Sequence, residues 1–151
     1  MKSLVRLIYV SRMTEECDMD ALEKILKVSR KKNKEKDITG MLCYDPKFFM
    51  QCLEGPKEAV NDLYGEIARD RRHTHVTLLE YEVITERMFG KWSMAFIRAG
   101  DVGASLYKHF GGSRRFNPFS LTPEKARDFF AAIAPYSVAS PDTQQDTAAY
   151  G

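Results

Sequence analysis

Apolar and polar positions alternate from the start of the chain. In Leu4-Val5-Arg6-Leu7-Ile8-Tyr9-Val10-Ser11, the residues Val5, Leu7 and Tyr9 share one face, which predicts a β-strand whose inward face carries a phenol into the core. From Asp18, a candidate N-cap followed by Asp20 and Glu23, the spacing changes to helical and predicts a helix to about Lys32. Its apolar stripe is Leu22, Ile25 and Leu26, and Ile25, Ser29 and Asn33 form an i, i+4, i+8 row, with Asn33 just beyond the helix. Two β-type runs then flank Asp45-Pro46-Lys47 and predict a hairpin. Gly55-Pro56 ends its second strand, with Pro56 in the first turn of a second helix that buries Val60, Leu63, Tyr64 and Ile67 and closes on Arg69-Asp70-Arg71-Arg72-His73. Strands are predicted over Val76 to Thr85 and Trp92 to Ile97, the latter with Trp92, Met94 and Phe96 on one face.

The resulting order, β-α-β-β-α-β-β, predicts a ferredoxin-like α+β sandwich with both helices on one face of the sheet. Its second face needs cover. Residues 100–136 offer two further helices, one near Val102 to Phe110 and one opened by Thr122-Pro123-Glu124 with Ala126, Phe129, Phe130 and Ile133 as its stripe. The expected division is residues 1–98 as the main domain, 99–136 as a helical extension, and 137–151, rich in Ser, Ala, Thr, Gln and Asp, as a disordered tail.

One residue breaks the hydrophobic pattern in a way that asks for chemistry. Period-two alternation puts Phe49, Gln51 and Leu53 on one face of the second hairpin strand, opposite Ile38, Gly40, Leu42 and Tyr44. The amide of Gln51 is thus predicted among apolar neighbours, where an unpartnered polar group costs roughly 1 to 3 kcal/mol. It needs partners for two donors and an acceptor.

Bulk properties narrow the class. At 151 residues, 44% hydrophobic, 29% charged and net +2, the chain suits one domain and offers no charge imbalance that would favour nucleic acid or a membrane surface. Its apolar runs are too short for a spanning helix and no signal peptide opens it, so a cytoplasmic location is expected. Three cysteines, Cys17, Cys43 and Cys52, without CxxC spacing, fit reduced thiols. His73 and His75 on a shared strand face lack a third ligand, which argues against a metal site. The basic run Arg30 to Lys36 is expected to be a solvated helix end and loop.

Taken together, Leu7-Ile8-Tyr9, Asn33, Ile38-Thr39-Gly40, Phe49, Gln51-Cys52-Leu53-Glu54-Gly55, Asp70-Arg71-Arg72-His73 and Trp92-Ser93-Met94, in that order, resemble the BLUF family of blue-light sensors that bind flavin. The resemblance spans about residues 3 to 98. Beyond it the chain is similar to the short members of the family, in which two helices and no effector domain follow the sensor. The resemblance implies a non-covalent FAD, or FMN, between the two helices, with Ile25, Leu42, Phe49, Leu53 and Ile67 packed against the ring. Ser29 and Asn33 would bond its polar rim, Asp70, Arg72 and His73 would stand near the ribityl-phosphate tail, and Lys32 would be a further cofactor contact. Gln51 would gain the flavin edge on one side and Tyr9 on the other. The implied function is photoreception without substrate turnover: light rearranges the hydrogen bonds of Tyr9 and Gln51, and Trp92 and Met94 carry the change to the fifth strand. The signal would leave through a downstream signalling protein or a changed homo-oligomer.

Two other classes compete. A ferredoxin-like small enzyme could use Arg71, Arg72 and His73 on an anionic substrate, but no nucleophile or acid-base pair is placed for it. An RNA-binding sheet would need an aromatic RNP pattern that the chain lacks. Colour separates the three, since only the photoreceptor should purify yellow.

Overall fold

The alternating N-terminal run forms β1 (Leu4–Met13), followed by α1 (Met19–Glu35), β2 (Thr39–Tyr44), β3 (Phe48–Pro56), α2 (Lys57–Ala68), β4 (His73–Ile84), β5 (Ala95–Arg98), α3 (Ala104–Gly111) and α4 (Pro123–Ile133). This computed structural model describes residues 3–90, 94–112 and 114–136. The five strands form one sheet in the order β4-β1-β3-β2-β5. β1 lies antiparallel to both β3 and β4, β2 is antiparallel to β3, and β5 is parallel to β2. This is the ferredoxin-like α+β arrangement expected from the hydrophobic pattern, with one strand added at the β2 edge.

Local chemistry sets the element ends. The Asp18 carboxylate accepts the Ala21 N–H at 2.9 Å and starts α1, and Thr122 does the same for α4 by accepting from Lys125 N–H at 3.2 Å. At the hairpin, the Asp45 side chain accepts from the backbone N–H groups of Lys47 and Phe48, at 2.7 and 2.8 Å. Gly40 has φ +155°, and a Cβ there would sit 1.9 Å from the carbonyl oxygen of Cys52. Only glycine lets β2 approach β3 so closely.

Alternation splits the interior into two layers. Val5, Leu7, Tyr9, Leu42, Tyr44, Phe49, Leu53 and Phe96 face α1 and α2, while Ile8, Val10, Met41, Cys43, Met50, Cys52 and Ile97 face the other way. The second face is covered by α3 and α4, through Tyr107, Ala126, Phe129, Phe130 and Ile133. Burial of these rings makes the extension part of the same core.

Several boundaries differ from the sequence reading. α1 continues to Glu35, so Asn33 lies inside its last turn, and within the basic run Arg30 is half-buried and Asn33 buried. Their side chains point toward the sheet, which outweighs the local preference of a charged run for solvent. Pro56 is the N-cap of α2 and lies outside its first turn. β5 begins only at Ala95; Met94 sits in the bend before it, and Trp92 lies outside the described residues, as does the predicted tail 137–151. His73 and His75 do not share a face in the expected way. The β1–β4 pairing shifts register between Val10 and Arg12, where His75 takes φ 55°, leaving His75 exposed and His73 half-buried. Among the described residues, no helix is long and apolar enough to cross a membrane.

Candidate functional site

A cleft of about 490 Å³ opens between α1 and α2 above the sheet, within the roughly 300 to 1,000 Å³ of small-molecule sites. Its floor is one row across three strands. Tyr9 of β1 stands opposite Gln51 of β3, and Gln51 stands opposite Leu42 of β2. Phe49, two residues before Gln51, completes the floor. The walls come from the helical stripes: Ile25, Leu26, Ser29 and Asn33 on α1, and Leu63 and Ile67 on α2. Lys32, Asp70, Arg72 and His73 line the same cleft.

The floor carries a directed hydrogen-bond chain. Tyr9 Oη donates to Gln51 Oε1 at 2.5 Å, and Gln51 Nε2 donates to the Met94 sulfur at 3.4 Å. Both Tyr9 and Gln51 are buried, at 3% and 8% exposure. Burial, helped by the nearby Tyr64 and Asp70, pushes the Tyr9 phenol well above its usual pKa, so it remains a proton donor. These bonds use one of the two amide N–H groups and one of the two carbonyl lone pairs of Gln51. The other N–H and lone pair are available to a ligand with an acceptor and a donor along one edge.

Further out, Arg72 is held by Asp70 through two hydrogen bonds from Nε, at 2.8 and 3.1 Å, and one from its terminal nitrogen. This pairing holds the Asp70 carboxyl below the usual carboxylate range. His73 is engaged on both ring nitrogens: Nε2 bonds the Ile67 carbonyl, and Nδ1 lies 2.8 Å from Ser11 Oγ. A carbonyl only accepts, so Nε2 carries the proton, and in the neutral ring Nδ1 accepts from the serine. His73 thus ties the end of α2 to β1 and presents the ring, edge-on to Phe49 at 5.8 Å, to the cleft.

The structure gathers Tyr9, Ile25, Ser29, Lys32, Asn33, Leu42, Phe49, Gln51, Ile67, Asp70, Arg72, His73 and Met94 around this one cleft. Leu53 is apart from them: it is fully buried in the layer facing the helices and does not line the cleft. Sequence reasoning missed Cys17, Leu22, Leu26 and Leu63 as lining residues, and the exposed Lys24, Val28 and Lys36 with them. Leu22, Leu26 and Leu63 give a signal only as members of helical stripes; Cys17 gives none, because it lies in the loop before α1.

A flavin fits this donor set. The apolar side chains of Ile25, Leu42, Phe49 and Ile67 can enclose a flat ring, Gln51 and Asn33 offer amides to its polar edge, and the cations Lys32 and Arg72 suit a phosphate tail.

Comparison with known proteins agrees. The family model for sensors of blue light using FAD matches residues 4–95. Over 94 residues the chain is 36% identical to the photoactivated adenylate cyclase subunit beta of Euglena longa, covering 61% of this chain and 11% of that protein. It is 33% identical over 91 residues to the blue light- and temperature-regulated antirepressor BluF of Escherichia coli strain K12, covering 60% of this chain and 23% of that protein. Among solved structures, the ground state of BlsA superposes with a TM-score of 0.79 at 31% identity, over 91% of this chain and 90% of that one. The chain spans about a tenth of the length of the cyclase subunits it matches. With the cleft, its amide floor and a family match over residues 4–95 in agreement, the chain belongs to the BLUF family, the sensors of blue light using FAD.

Proposed function

We propose that Tyr9, Gln51 and Met94 form the light-responsive element of this sensor, with the flavin held by the cleft residues named above. The observation that carries the reading is the chain from Tyr9 Oη through Gln51 to the Met94 sulfur at the cleft floor. A bound flavin supplies blue-light absorption and, once excited, a place for an electron. The protein's part is the exchange of an amide's two ends. With Gln51 turned, Nε2 donates to Tyr9 Oη and Oε1 faces the Met94 sulfur, so the bond to the thioether is lost. In the starting arrangement the Oη proton lies on the bond to Gln51 Oε1; once the amide is turned, Oη accepts from Nε2 and keeps its own proton. The two arrangements differ by a few hydrogen bonds worth about 1 kcal/mol each, so the turned state reverts thermally in the dark.

Output through a downstream protein or a changed self-association is part of the same proposal, and α3 and α4, packed on the far side of the sheet, are its route. The small-enzyme alternative gains no support, because both ring nitrogens of His73, its candidate acid-base group, are engaged by Ser11 and Ile67.

The protein is expected to purify with oxidised flavin and to give a small, reversible red shift under blue light. A colourless protein that takes up neither FAD nor FMN would refute the proposal. Tyr9→Phe keeps the ring and removes the donor to Gln51, so it should bind flavin and lose the red shift, read from a light-minus-dark spectrum. An intact shift in that variant would remove Tyr9 from the mechanism.

A further inference from the structure

Met94 precedes Ala95, the first residue of β5 paired with β2, yet its sulfur reaches Gln51. A methionine side chain has three rotatable bonds and a weakly accepting sulfur, so its place beside the amide depends on where its backbone is held. Arg30, on α1 immediately after the cleft residue Ser29, donates from Nε to the Met94 carbonyl at 3.1 Å. The Arg30 guanidinium is itself seated over the Phe96 ring, 5.3 Å from its centroid. Phe96 pairs with Leu42, which stands opposite Gln51. Met94 is therefore held at both ends, its sulfur by Gln51 and its backbone by the helix that walls the cleft.

We propose that Arg30 is a positioning residue that keeps Met94 seated against Gln51 and thereby shortens the life of the light-induced state. The inference rests on the photoswitch reading above, in which the turned amide presents Oε1 to the sulfur. Two acceptors then face each other and the contact loses its bond. A Met94 free to move would swing away and relax that state. Arg30 holds the backbone in place, keeps the unfavourable contact, and so speeds return to the starting arrangement.

The test uses the full, flavin-loaded chain and two readouts. In Arg30→Met, which keeps an apolar stem and removes the donor, dark recovery should slow by roughly three- to tenfold, the worth of one hydrogen bond. Arg30→Lys, which retains charge and a donor, should recover closer to wild type. In a Met94→Leu background the Arg30→Met change should have no further effect on recovery. The second readout is the Met94 methyl resonance in the dark, which needs no photocycle: Arg30→Met should move it while leaving Met41 and Met50, on the opposite sheet face, in place. α1 is also tied to β5 by Arg98 Nε donating to Glu23 at 2.9 Å, so Arg98→Met serves as the control for helix docking alone.

An unmoved Met94 signal, unchanged recovery, an Arg30→Met effect that persists without the methionine, or equal slowing by Arg98→Met would each overturn the proposal. A protein without any red shift would refute the photoswitch reading, and the methyl resonance would still decide whether Arg30 seats Met94.

Discussion

Gln51→Leu should give a folded, flavin-loaded protein with an altered dark spectrum and no normal light-induced red shift. Leucine is close to glutamine in volume and has Phe49 and Leu42 as apolar neighbours, so the cleft keeps its shape. What disappears is the group whose donor and acceptor ends exchange in the proposed switch. From the pattern of apolar neighbours alone, stability is expected to hold or rise slightly. The structure adds an opposing cost, because the hydroxyl of Tyr9, a residue only 3% exposed, loses its acceptor. A buried donor left unmade costs about 1 to 3 kcal/mol, so the variant should be less stable than the wild type unless the flavin takes over that bond. The deciding measurement is a light-minus-dark spectrum on flavin-loaded protein, and a wild-type spectrum would show that Gln51 is not the switch.

The largest effect on stability is expected at Glu54, three residues further along β3. Its side chain is fully buried, pairs with Arg6 Nε at 3.0 Å, and accepts the backbone N–H groups of Met88 and Phe89 at 2.9 and 2.7 Å. The carboxylate therefore compensates one buried cation and pins the segment that leads from β4 toward Met94. Glu54→Ala leaves the Arg6 guanidinium, whose side chain is 9% exposed, without its closest partner. Breaking such a pair on one side costs about 3 to 5 kcal/mol. Urea unfolding of the variant should show a loss of that size, with faster amide exchange at Phe89. A loss under about 1 kcal/mol would mean that Glu82, 3.7 Å from Arg6, takes over the role.

Gln51 and Glu54 show how far the sequence can be read. Both interrupt an apolar strand, and each signals that something polar is buried beside it. For Gln51 the row through Tyr9 and Leu42 follows from period-two alternation once the hairpin register is right, so that part of the site is legible. Glu54 is legible only in part: Arg6 stands opposite it in the β1–β3 register, but the Met88 and Phe89 N–H groups it accepts lie in a segment whose course no periodicity describes. Alternation with Phe96 puts Met94 in a strand, yet the parallel ladder to β2 starts one residue later. Arg30 reads locally as part of a solvated charge run. Its long side chain instead crosses from α1 to the Met94 carbonyl and the Phe96 ring, and such reach between elements leaves no trace in local spacing.

Neighbouring residues on β3 belong to different interiors: Phe49 to the layer under α1 and α2, Met50 to the layer under α3 and α4. The same holds along β1, where Tyr9 and Val10 part company, and along β2, where Leu42 and Cys43 do. If the signal leaves through α3 and α4 as proposed, colour and output are written in interleaved letters of the same strands. An engineer could rebuild the output side by changing every second residue and keep each letter that faces the cleft. A chimera made in that way would receive light as this protein does and answer to a partner of another sensor.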